Sequence, residues 1–123
     1  MNIGTSYTST TVVNTTNTAA ALGSGDMDVF ATPAMVALME NAAMNAVAPH
    51  LAEGQTTVGT QITTSHIKAS ALGATITATA VLTAVDGRSL TFATTARDGE
   101  NIIGEGVHTR FVVDRERFLS KLK

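Results

Sequence analysis

Between Val29 and Ala48 the chain reads VFATPAMVALMENAAMNAVA, and Met35, Leu38, Met39, Ala42, Ala46 and Val47 recur at three- and four-residue steps. That period predicts a helix. Thr32 is a suitable N-cap, and Pro33 suits the first helical position because its missing N–H would have no partner there. Pro49 ends the helix, since the residue before a proline avoids the helical region. The intervening residues are mostly Ala, which predicts burial on nearly all sides. Glu40 is the only charge in the segment, with Asn41 and Asn45 as polar companions, and a lone carboxylate among apolar residues calls for a partner or a task.

Elsewhere the period shortens to two. Thr5 to Thr18, rich in Thr and Val, reads as a strand, followed by a helical turn over Ala19 to Leu22 that Gly23 and Gly25 break. Thr56 to Ile67 alternates, with Val58, Thr60, Ile62, Thr64 and His66 on one face and Gly59, Gln61, Thr63 and Ser65 on the other. Ala74 to Val85 alternates again and ends at Asp86-Gly87; Arg88 to Ala96 returns to Asp98-Gly99; Asn101 to Val113 is the last long strand. Each Asp-Gly pair is a hairpin signal with both turn positions expected at positive φ. The carboxyl half therefore reads as a four-strand antiparallel meander. Asp114 caps a short final helix to Leu122 with Phe118, Leu119 and Leu122 turned inward.

The fold class that follows is α+β: one long helix wrapped by a curved antiparallel sheet of about five strands. A single sheet covers only part of such a helix, so a second copy, related by a two-fold axis, is expected to cover the rest.

Composition narrows the function classes. The 123 residues suit one domain, and a formal charge of −2 with 44% apolar residues gives no electrostatic footprint for nucleic acid. Without a membrane span or signal peptide in the sequence, the expected location is cytoplasmic. No cysteine is present, and His50, His66 and His108 are too scattered to read as a metal site, so neither a metal nor a cofactor is expected. About one residue in six is Thr, which favours strands.

The motifs Val29-Phe30-Ala31-Thr32-Pro33 leading to Leu38-Met39-Glu40, then Val58-Gly59-Thr60, Thr64-Ser65-His66 and Gly104-Glu105-Gly106-Val107-His108-Thr109-Arg110 resemble those of the fluoroacetyl-CoA thioesterase family of hotdog-fold proteins. The resemblance spans roughly Asn17 to Leu119. It implies a hotdog domain that hydrolyses a small or medium acyl-CoA, with Thr32, Glu40 and His66 as the catalytic set and Gly59 and Arg110 at the substrate. CoA enters as part of the substrate, not as a cofactor. Members that confer fluoroacetate resistance carry a longer, aromatic-bearing segment before the central helix; here Leu22 to Asp28 is LGSGDMD, which argues against fluoroacetyl selectivity.

The same residues have plainer readings: Thr32 as a helix cap, Glu40 as an acid paired with Arg110, His66 as a core histidine, Gly59 as the mark of a bulge. A non-catalytic acyl-CoA sensor and a hotdog hydratase are the rival functions. The hydratase calls for an Asp and a His close together near the central helix, and no such pair occurs. Eight residues of helix rise about 12 Å, so Thr32 and Glu40 of one chain cannot meet at one carbonyl. Composite sites are expected, with Thr32 of one subunit opposite Glu40 of the other in a homodimer, and tetramers are compatible with the same pairing.

Overall fold

The computed structural model describes all 123 residues. Along the chain come β1 (Ser6–Val12), α1 (Ala19–Leu22), α2 (Thr32–Val47) with a 3-10 turn (Ala48–His50), β2 (Gln55–Thr64), β3 (Thr75–Asp86), β4 (Ser89–Asp98), β5 (Asn101–Asp114) and α3 (Arg115–Ser120). β1 is shorter than its Thr-rich run because side chains take over the backbone groups beyond it. Asn17 Oδ1 accepts from Asn14 N (2.9 Å), and Asn14 Oδ1 accepts from Thr16 N (2.8 Å). Such local bonds compete with a ladder.

The five strands form one curled antiparallel sheet in the order β1-β3-β4-β5-β2. The meander is thus three strands, not four, and β2 pairs with β5 instead of its sequence neighbour β3. Residues 65–74 are too long for a tight hairpin and carry the chain across the start of α2. Ile67 N bonds Ile103 O, Ser70 O accepts from Phe30 N, and Gly73 N reaches Val13 O. That crossing leaves β2 at a sheet edge.

Both Asp-Gly hairpins form, but Asp86 and Asp98 are the last paired residues of their strands. The two-residue loops are Gly87-Arg88 and Gly99-Glu100, and in each only the glycine has positive φ, +60°. Glycine at the first loop position fits a type II′ turn, which explains why neither Asp is forced into the left-handed region.

α2 lies on the concave face. Met35 and Met39 pack with Phe30, Ile76, Ala78, Ala96 and Ile103; Ala42, Ala43, Ala46 and Val47 pack with Leu82, Leu90, Phe92 and Val112. The alanines let helix and sheet approach closely, and each fully buried Met or Phe contributes about 1.5–3 kcal/mol. Burial is one-sided, however: Thr32, Pro33, Ala37, Asn41 and Met44 are exposed in the single chain. The helix is apolar beyond the face its own sheet covers. At the carboxyl end Asp114 caps α3 by accepting from Arg117 N (3.1 Å). Phe118 is half-buried, but Leu119, on the outer side of α3, and Leu122, beyond its end at Ser120, are exposed. No helix is long and apolar enough to cross a membrane.

Candidate active site

The start of α2 differs by one residue from its sequence reading. Ala31 is the N-cap, with extended backbone and no side-chain cap bond, and Thr32 and Pro33 are the first two helical residues. Thr32 therefore does not cap. Its hydroxyl points instead to His66, with Oγ1 2.8 Å from Nδ1. His66 is held just past β2, where the chain keeps close to β5 through Ser65 N to Glu105 O (3.0 Å) and Ile67 N to Ile103 O (2.7 Å). Phe30 meets its ring edge-on, centroids 6.5 Å apart. His66 Nε2 is buried without a hydrogen-bond partner. Burial pushes the imidazole pKa below its usual 6.5, with the Lys68 main chain opposing. A cleft of about 230 Å³ opens here, lined by Phe30, Thr32, His66, Ile67 and Lys68 among others.

Glu40 lies two turns further along α2, above β2 and β5. Its Oε2 is 3.9 Å from Arg110 Nη1, a loose ion pair, and its side chain is 42% exposed. The buried, tightly paired acid of the plainer reading is not what forms. Gly59 opposes Arg110 across the ladder, and a Cβ at Gly59 would stand 3.0 Å from Glu40 Oε2 and 3.4 Å from Arg110 Nη1. Strict alternation would put Gly59 on the face opposite His66. The ladder instead steps from Gly59↔Arg110 to Gln61↔Thr109, so Thr60 is an extra, bulged residue. One extra residue restores the parity and brings Gly59 to the same face as His66.

Thr57 and His108 complete this cluster around Arg110, and neither was assigned a role at the site from the sequence. Arg110, 6% exposed, donates from Nε to Thr57 Oγ1 (2.8 Å) and from Nη2 to Thr57 O (2.9 Å). Its Nη1 reaches His108 Nε2 at 3.1 Å, and His108 Nδ1 reaches Gln61 O at 2.8 Å. A guanidinium so enclosed has no free edge for a CoA phosphate. Burial pushes down the pKa of both Arg110 and His108. The i, i+2 spacing of His108 and Arg110 on a strand was the available signal; Thr57 needs the β2–β5 register, which the sequence does not display.

One chain thus brings Thr32 to His66, and Glu40 to Gly59 and Arg110, but leaves the two groups about 12 Å apart along α2. The first offers a hydroxyl, an imidazole and the free N–H groups of a helix start, suited to polarising a carbonyl and moving a proton. The second offers an accessible carboxylate next to a fixed cation. The largest cleft, about 570 Å³ between α3 and the end of β5, is lined by Arg88, Phe111, Arg117 and Phe118 among others and holds none of these residues.

Known proteins give this arrangement a context. The sequence profile of the family described as "Fluoroacetyl-CoA-specific thioesterase" matches residues 13–116. The fluoroacetyl-CoA thioesterase of Streptantibioticus cattleyicolor is 44% identical over 96 residues, 78% of this chain and 69% of that protein. A solved structure of the fluoroacetyl-CoA thioesterase FlK superposes with a TM-score of 0.92 at 38% identity, covering 99% of this chain and 95% of that one. A Thermus thermophilus thioesterase-superfamily protein shares the fold alone, with a TM-score of 0.90 at 22% identity over 98% of this chain and 90% of that one. The hotdog fold, the match along most of the chain and the level of identity lead to one assignment: the chain belongs to the fluoroacetyl-CoA-specific thioesterase family and is a thioester hydrolase.

Proposed function

We propose that the chain acts in the cytoplasm as a single-domain hotdog enzyme that hydrolyses a short acyl-CoA to the free acid and CoA, at sites shared between two subunits. The observation that carries this reading is the exposed Glu40 carboxylate over the side-chain-free Gly59, two helical turns from the Thr32–His66 pair. Sharing is favoured by three features. The two half-sites are too far apart to serve one carbonyl, the outer side of α2 is apolar and open, and β2 is an edge strand whose backbone is free to pair with another chain. Antiparallel α2 helices in a dimer would set Thr32 of one subunit level with Glu40 of the other. The same contacts leave room for dimers to pair into tetramers.

In such a site the thioester oxygen meets the helix start and the Thr32 hydroxyl. Glu40 either attacks the carbonyl carbon, giving an anhydride that water opens, or takes a proton from the attacking water. In both routes the carbon–sulfur bond breaks and CoA leaves as the thiolate, which is brought to the thiol by the proton that the attacking water gives up, relayed through Glu40 or His66. Gly59 leaves room for the acyl group beside the carboxylate, and Arg110 stands behind it.

The names of the relatives point to fluoroacetyl-CoA as substrate. The segment before α2 points away from exclusive use of it: Gly23 to Asp28 are all exposed and include no aromatic side chain to close over an acyl group. The proposed specificity is therefore for short acyl groups generally, fluoroacetyl among them, with little discrimination against acetyl.

The test is thiol release from a panel of acyl-CoAs, including acetyl and fluoroacetyl, with wild type, Glu40→Ala and His66→Ala. Turnover lost in both folded variants supports the reading. CoA esters bound by the wild type without turnover would instead make the protein a sensor. A strong preference for fluoroacetyl-CoA would overturn the specificity.

A further inference from the structure

His108 has both its charge and its tautomer decided by its partners. Gln61 O can only accept, so Nδ1, 2.8 Å away, must carry a proton. The Arg110 guanidinium can only donate, so Nε2, 3.1 Å from Nη1, must present a lone pair. A protonated Nε2 would turn a donor against a donor and place a second cation beside the guanidinium. The ring is 1% exposed, packed near Phe92 with centroids 6.3 Å apart, so no water is at hand to replace the bond.

We propose that His108 is a positioning residue: a neutral imidazole, protonated at Nδ1 alone, that together with Thr57 clamps Arg110 so that Nη1 is turned to Glu40 across Gly59. This deepens, and rests on, the reading of Glu40 as a reacting carboxylate. Thr57 holds one edge of the guanidinium, through Nε and Nη2. The group is planar and rigid, so two bonds to one residue still let it rock as a whole about that edge, and the His108 bond to Nη1 is the third point that stops it. The elements packed around the ring present Glu40 from α2, Arg110 from β5, the Gln61 carbonyl from β2 and the Phe92 ring from β4. Of these only Glu40 and Arg110 carry charge. The clamp keeps the cation 3.9 Å from the Glu40 oxygen, too far to tie the carboxylate up in a hydrogen bond.

The experiment combines nitrogen-15 NMR of the imidazole and guanidinium with kinetics on whichever acyl-CoA turns over. In the wild type at pH 7 the His108 ring is expected to carry its proton on Nδ1 only, and Arg110 Nε–H to exchange slowly with water. His108→Gln, which keeps an acceptor, should retain slow exchange and kcat within about threefold of wild type. His108→Leu, which fills the space without one, should lose kcat by about tenfold or more with little change in KM, and exchange Arg110 Nε–H faster. A wild-type ring protonated at Nε2 overturns the proposal, as does a folded Leu variant with wild-type kcat. A wild type without turnover refutes the thioesterase reading alone, and the tautomer and exchange rates then decide the clamp by themselves.

Discussion

The carboxylate of Glu40 rests over Gly59, where an added Cβ would stand 3.0 Å from Oε2 and 3.3 Å from His108 Cε1. Helix and sheet meet there only because the sheet offers no side chain. Gly59→Ala is expected to push the carboxylate by a few tenths of an ångström from its place near Arg110 and lower kcat/KM by about tenfold, less than the roughly 100-fold that a full 1 Å misplacement can cost. Circular dichroism and the melting curve should change little, since Gly59 is exposed and at a bulge. Steady-state kinetics beside a melting curve separates these effects, and an Ala variant with wild-type kcat/KM would remove Gly59 from the site.

The Thr32 hydroxyl, freed from capping, is available to His66 and to substrate. Thr32→Ala should therefore cost activity by about 10²–10³, as losing one oxyanion donor does, while leaving helix stability nearly unchanged. Thr32→Ser keeps the hydroxyl and should recover most of the rate. If the Ala variant instead melts far below wild type with kcat intact, Thr32 is structural.

His66 and His108 both have imidazole pKa values pushed below 6.5 by burial. The unfolded chain takes up protons near 6.5 while the folded one does not, so stability is full above that pH and falls as the pH drops through the lower folded values. Denaturant unfolding between pH 7.5 and pH 5 should show this loss. His108→Gln should flatten the slope, and a slope unchanged by that substitution would mean His108 titrates alike in both states.

A composite site makes a strict statement about mixtures. Thr32→Ala and Glu40→Ala homodimers each spoil both sites, but a mixed dimer holds one intact site and one doubly broken. After equal mixing with subunit exchange, activity should return to about a quarter of wild type, from half the dimers carrying one site of two. No recovery, with exchange verified by mass spectrometry, would place a whole site within one subunit.

How far the sequence could be read depended on whether a neighbour in sequence was also a neighbour in space. The α2 period and the Gly87 and Gly99 hairpins are local, and they formed within a residue or two of expectation. The fold class followed from them, while the family resemblance rested on the motifs around Thr32, Glu40, Gly59, His66 and Arg110. The pairing of β2 with β5 is not local: alternation says that a strand exists and nothing about its partner. With that register hidden, the clamp of Thr57 on Arg110 and the true face of Gly59 were hidden too. Thr32 was displaced by one position because Thr-Pro is a strong start signal, yet Ala31 adopts the cap backbone and releases the hydroxyl for His66. Leu122 was placed inward by extending the helical period past Ser120, where the helix stops, and Leu119 lies within the helix on its exposed side.

Thr60 remains as a residue the sheet does not need. Deleting it would turn the step from Gly59 to Gln61 into an ordinary one and leave every side chain of β2 on its present face. Such a shortened chain is expected to melt at or above the wild-type temperature and to hydrolyse poorly, because the bend that aims Gly59 and its neighbours at Glu40 goes with the bulge. The extra threonine is thus a place where robustness and reactivity are set against each other, and where selection for a tougher protein would be expected to erase the enzyme first.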